Sequence, residues 1–151
     1  MSKQEASDFN LAYSQAIRFL AVREHSSKEL AAKISNKGFH VDVVMAVIDK
    51  LKCENLQNDA RFAESFVRLW SSKGKGPIKI RLELEQHGLS SQQIDFVFSQ
   101  EPIDWLQKVE LVWQKKFNYQ PKTQEEKAKQ FRFLQNRGFS TSQIASVIKL
   151  N

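Results

Sequence analysis

Apolar residues fall three times into one short register along this chain. Val44, Val47 and Ile48 stand at i, i+3 and i+4, as do Ile94, Val97 and Phe98, and again Ile144, Val147 and Ile148. That spacing lines one face of an α-helix. Six residues before each trio stands a glycine: Gly38, Gly88 and Gly138. An apolar residue lies four before each glycine (Ile34, Leu84, Leu134) and another directly after it (Phe39, Leu89, Phe139). This is the sequence form of a Schellman stop, in which glycine takes the left-handed conformation and the next side chain folds back on the helix. The glycines are fifty residues apart. A helix stop and a helix start repeated at a fixed period predict an all-α chain of three tandem helical units.

Each unit reads as three helices, over residues 1–53, 54–101 and 102–151. In the first, a helix from Phe9 to about Arg23 precedes Ser26-Ser27-Lys28-Glu29, a capping box, and a third helix covers Val41 to Cys53. In the second, Asp59 is the expected cap of a helix carrying Phe62, Phe66, Val67 and Trp70. Lys73-Gly74-Lys75-Gly76-Pro77 breaks that helix, and Pro77 suits the first position of the next. Ser90 with Gln93 caps the third. In the last unit Asp104, Thr123 with Glu126, and Ser140 with Gln143 open three more helices. One stretch conflicts with this scheme. Ile78 to Leu84 alternates apolar and polar residues like a half-buried strand. Pro77 and Gly88 at its ends, and helical signals in its counterparts, assign it to a helix.

Composition narrows the chemistry. The 151 residues are 41% hydrophobic, with five glycines and three prolines, which excludes a low-complexity chain. A lone cysteine, Cys53, forms no internal disulfide and fits a reducing compartment. The N-terminal residues lack the apolar core of a signal peptide, and no apolar run is long enough to cross a bilayer. The expectation is a cytoplasmic protein. His25, His40 and His87 lack a helical-spacing partner for zinc, Gly74-Lys75-Gly76 lacks the rest of a phosphate loop, and no nucleophile–base set stands out. No catalytic, cofactor-binding or metal-ligating residue is expected, and the chain is read as a non-enzyme.

Charge is more informative. The net charge is +6, unevenly spread. Arg61, Arg68, Lys73, Lys75, Lys79 and Arg81 face Glu64 alone, a local +5. Lys115, Lys116, Lys122, Lys127, Lys129, Arg132 and Arg137 face only Glu125 and Glu126, again +5. Two such segments attract a polyanion or an acidic protein surface. Phe66, Trp70 and Trp113 lie among the charges and could stack on bases, but their helical spacing favours a place in the core.

The chain resembles the RecX family of bacterial recombination regulators. The resemblance is carried by Ala16 to Ser26 with Glu29-Leu30, by Asn58-Asp59-Ala60-Arg61-Phe62-Ala63, by Lys73 to Pro77 with Ile80 to Leu84, and by Asp104-Trp105, Lys116-Phe117, Glu126-Lys127 and Phe131 to Phe139. It departs from the usual pattern at Gln57-Asn58, and at Trp70 and Ser72, where relatives are often more basic. The resemblance implies an elongated, curved stack of three three-helix repeats that binds the RecA recombinase filament on DNA. There it would oppose filament growth and suppress ATP hydrolysis, strand exchange and co-protease action. The expected contact residues are Arg61, Arg68, Lys73, Lys75, Lys79 and Arg81, with Lys115, Lys116, Lys127, Lys129, Arg132 and Arg137 as a second set. A monomer with no membrane partner is expected, with single- or double-stranded DNA as a further partner. A free-standing DNA-binding helical module and a purely structural adaptor are the competing readings.

Overall fold

The computed structural model describes residues 2–149, and among these every regular element is an α-helix. The first unit holds α1 (Lys3–Val22), α2 (Ser27–Ser35) and α3 (Val41–Cys53). The second holds α4 (Asp59–Ser72), α5 (Pro77–Gln86) and α6 (Ser91–Gln100). The third holds α7 (Trp105–Lys116), α8 (Gln124–Asn136) and α9 (Thr141–Ala145). Helices pack within their own unit, and the apolar core is accordingly divided into three. Leu30, Ile34, Val44, Val47 and Leu51 fill the first; Phe62, Val67, Ile80, Leu84 and Ile94 fill the second; Val109, Trp113, Leu134, Phe139 and Ile144 fill the third. Trp105 packs against both the second and third cores.

The periodic glycines do what their flanks require. Gly38, Gly88 and Gly138 have φ of +95°, +88° and +103°. In the second and third units the Schellman bond closes from the Leu89 and Phe139 amides to the Leu84 and Leu134 carbonyls, both at 3.2 Å. The ambiguous stretch is helix α5. Ile80 and Leu84, one turn apart, are fully buried, while Ile78 and Leu82 are about half exposed. A strand would have placed all four on one face. The helix puts two of them in the core and leaves two outside.

Three expectations are corrected. First, α4 is capped by Asn58, whose side-chain oxygen accepts from the Arg61 amide at 3.0 Å. Asp59 is instead turned across to the first unit, where its carboxylate accepts from the Ser27 amide at 2.9 Å, and it also accepts from Gln57 Nε2 of its own unit at 2.9 Å. Second, α1 begins at Lys3 and not at Phe9, because Ser2 and Glu5 form a capping box of their own. Third, α9 ends at Ala145, although Val147 and Ile148 stay buried. The Gln120 side chain donates to the Val147 carbonyl at 2.8 Å and accepts from the Lys149 amide at 3.0 Å, so backbone groups there find a partner outside a helix.

Units are joined through polar groups at helix ends, backbone to backbone at the second junction and largely through side chains at the first. Helix α5 has no side-chain cap; Gly76 occupies that position. Its first-turn Ile78 amide donates to the Gly138 carbonyl at 3.0 Å, and the Gly76 amide donates to the Arg137 carbonyl at 2.7 Å. The earlier junction uses the same places one period back. Ser26 Oγ lies 3.3 Å from His87 Nδ1, and the Ser27 amide is answered by Asp59 of the next unit. Arg61 reinforces it with a 2.6 Å ion pair to Glu24. The backbones at the second junction approach too closely for a side chain. A Cβ on Gly76 would overlap the Gly138 carbonyl and come within 2.6 Å of the Phe139 nitrogen.

The buried His25 is locked in one tautomer. Lys33 Nζ, which can only donate, lies 2.9 Å from Nε2, so Nδ1–H donates to the Arg23 carbonyl at 3.0 Å. Burial holds its pKa below the ordinary 6.5, and the Arg23 and Lys33 charges push the same way against the backbone hydrogen bond.

Two predictions follow from this architecture. Gly76→Ala, whose φ of −85° suits alanine, should cost about 3 kcal/mol through collision alone. Gly38→Ala has open space within 4 Å and should cost about 1 kcal/mol through backbone strain alone. Denaturant titration would rank them, and a more damaging Gly38 change would contradict the junction. For His25, the unfolded chain takes up the proton more readily than the folded one. Its contribution is therefore complete above pH 6.5 and declines as pH falls through and below that value. The melting temperature should drop from pH 7.5 to 5.5, and drop less in His25→Gln.

Candidate functional site

Where the second unit meets the third, the chain builds a cleft of about 390 Å³. One wall is the end of α4 and the turn after it: Ser71, Ser72, Lys73 and Gly74. The other is α7, which presents Lys108, Leu111, Val112, Lys115 and Lys116 at helical spacing. Phe133 and Arg137 of α8 and its C-cap close the end. Gly74 permits the close approach, since a Cβ there would meet Val112 Cγ2 at 3.1 Å. The floor is apolar and the rim carries five cations with no carboxylate among the lining residues.

Apart from Lys127, Lys129 and Arg132, the candidate cations divide into two groups. Arg61, Arg68 and Arg81 each already hold a carboxylate, in pairs with Glu24 at 2.6 Å, Glu101 at 2.9 Å and Asp95 at 2.6 Å. Arg81 also lies over the Phe98 ring. Their charge is locally balanced, and they serve junction and unit geometry. Lys73, Lys75, Lys79, Lys115, Lys116 and Arg137 form no such pair among the described residues. They converge on the junction from both segments. Desolvation lowers the pKa of Lys75, and the positive charges of Lys79, Arg137 and Lys73 lower it further. Lys79 points its ammonium at the Asn136 carbonyl, 3.5 Å away at the C-terminal end of α8.

Lys127, Lys129 and Arg132 do not line the cleft; they lie on α8, the first half-buried and the others exposed. Lys108, by contrast, belongs to the rim although it falls outside the basic stretch counted along the chain. Its spacing from Lys115 and Lys116, seven and eight residues, was the signal available in the sequence. The aromatics take structural positions. Trp113 is buried and donates its indole N–H to Gln130 Oε1 at 2.9 Å, while Phe66 and Trp70 stack at 4.5 Å against the second core. Among the described residues no cluster of His, Cys, Asp and Glu could hold a metal, and no helix is long and apolar enough to cross a membrane. Cys53 is exposed.

Comparison with known proteins accounts for the threefold plan. Family models for the first, second and third three-helix domains of RecX match residues 12–51, 58–97 and 103–148. "Regulatory protein RecX" of Pseudomonas entomophila strain L48 is 40% identical over 134 residues, covering 88% of this chain and 86% of that protein. Its namesake in Halorhodospira halophila is 38% identical over 130 residues, covering 85% and 81%. These relatives are named for regulation and not for a reaction. The fold agrees with a crystal structure of regulatory protein RecX, at TM-score 0.78 and 25% identity over 96% of this chain and 73% of that one. It also agrees with that of RecX from Lactobacillus salivarius, at TM-score 0.76 and 24% identity over 93% and 94%. With all three units matched in order and sequence identity sustained across most of its length, the chain belongs to the RecX family.

Proposed function

We propose that this protein is a non-enzymatic inhibitor of the RecA recombinase. As a single copy it docks in the groove of the RecA filament on DNA and opposes filament growth. ATP hydrolysis, strand exchange and co-protease action fall as a consequence. Family membership supports a regulator, and one observation supports docking to a charged polymer. Lys73, Lys75 and Lys79 of the second unit meet Lys115, Lys116 and Arg137 of the third across one junction, with no carboxylate paired to them among the described residues. Such a concentration of cations raises the local potential and steers an acidic surface or a phosphate chain toward it. Three units in series also let weak contacts to successive protomers add, because later contacts form at high effective concentration. Neither role needs a reacting group.

The test adds the protein at sub-stoichiometric amounts to RecA assembled on single-stranded DNA and follows ATP hydrolysis and filament length. Both should fall. The combined variant Lys73→Gln, Lys75→Gln, Lys79→Gln and Arg137→Gln should inhibit about ten-fold less, with helix content and melting unchanged. Arg81→Gln alone should change inhibition little, since Asp95 already occupies that guanidinium. Unchanged hydrolysis together with tight, salt-sensitive binding to naked DNA would point to an independent DNA-binding module.

A further inference from the structure

We infer that the cleft between α4, α7 and the end of α8 is a peptide site, taking an acidic segment that carries one apolar side chain. The inference deepens the regulatory reading and rests on it for its setting, but the binding is a property of this protein alone. Three observations choose a peptide over a nucleic acid. The first is the floor. Leu111, half exposed, and Val112 present aliphatic surface inside a ring of Lys73, Lys108, Lys115, Lys116 and Arg137. A phosphate chain would use the ring and leave that surface wet; an acidic peptide with a leucine or phenylalanine would use both.

The second is the aromatic. A base would need a free ring face on which to stack. Phe133, the aromatic residue lining the cleft, has Lys116 Nζ over its ring at 5.3 Å and Arg137 Cζ at 5.4 Å, while Phe117 meets it edge-on at 5.5 Å. Both cations are held by the ring quadrupole at the cleft end, and their donors remain available to carboxylates. The third is the balance of charge. Among the described residues none of the five rim cations makes an ion pair, and the serine hydroxyls of the wall donate inward, Ser71 to the Arg68 carbonyl and Ser72 to the Leu69 carbonyl. Hydrogen-bond donation to an occupant therefore comes from cations, which selects an anion, and the apolar centre they surround favours one carried on a peptide. The volume lies in the range of ordinary ligand sites.

Fluorescence anisotropy on the intact protein tests this with three labelled probes. They are an acidic hexapeptide with a central phenylalanine, the same peptide with serine there, and hexathymidylate. The phenylalanine peptide should bind about ten-fold more tightly than the serine peptide, and more tightly than the oligonucleotide. Leu111→Asn should remove most of that ten-fold advantage and leave the serine peptide unaffected. Lys115→Gln with Lys116→Gln should weaken every probe. Amide shifts in the unmutated protein, which require no variant to fold, should centre on Gly74, Leu111 and Val112. Equal binding of the two peptides, preference for the oligonucleotide, or shifts centred elsewhere would overturn the inference. The outcomes separate from those of the filament assay. Inhibition of RecA with equal peptide affinities would remove the peptide site and keep the inhibitor, and selective peptide binding without inhibition would do the reverse.

Discussion

An α-helix begins with amide groups that have no partner inside it, and in this protein the middle helix of one unit finds that partner in the next. The Ile78 amide of α5 is answered by the Gly138 carbonyl, and the Ser27 amide of α2 by the Asp59 carboxylate. In the third unit α8 is capped locally by Thr123, with Glu126 reaching back to the Lys122 amide, as α2 is also capped by Ser26. Polar helix ends, and not broad apolar faces, thus set how units follow one another. Directional bonds fix an angle where apolar surfaces tolerate sliding, so the array keeps a defined geometry over thin contacts.

That junction also creates the cationic cleft. Drawing Gly76 against Gly138 brings the Lys73–Gly76 turn toward the C-terminal end of α8, while α7 closes the other side. Carbonyls at the end of α8 favour the positive charge that gathers there, including Lys79 near the Asn136 oxygen. Three of the arginines are committed within the fold. Arg61, Arg68 and Arg81, with planar forked donors, are held by carboxylates inside the fold. Lys73, Lys75, Lys79, Lys115, Lys116 and Arg137 form no ion pair among the described residues, and theirs is the charge the proposed docking would use.

The repeats are alike in backbone and differ where a core position changes character. Leu30, Ile80 and Gln130 stand one period apart, and all three are buried. Gln130 is tolerated because it accepts from the Trp113 indole and donates to the Tyr119 carbonyl at 3.0 Å. The larger Trp113, where the first and second units carry Tyr13 and Ala63, makes the exchange of an apolar residue for an amide consistent.

Helix content, the threefold period, the Schellman stops and most caps were legible in the chain because each depends on residues within about one turn of one another. The local +5 segments were legible too, as was the family through its central motif. Other features had no local signature. Asn58 and not Asp59 caps α4 because Ser27 claims the Asp59 carboxylate, and α9 stops short because Gln120 serves Val147 and Lys149 from a distant loop. Sequence order likewise could not tell Arg61, whose partner Glu24 lies in another unit, from Lys73, which makes no ion pair among the described residues, nor place Lys108 beside Lys73. Periodicity and caps are decided between near neighbours in the chain, whereas neutralisation of a charge and the walls of a cleft are decided by which groups the junction brings within reach. The primary structure alone specified three helical units and a surplus of positive charge; their packing chose which of those charges are left open.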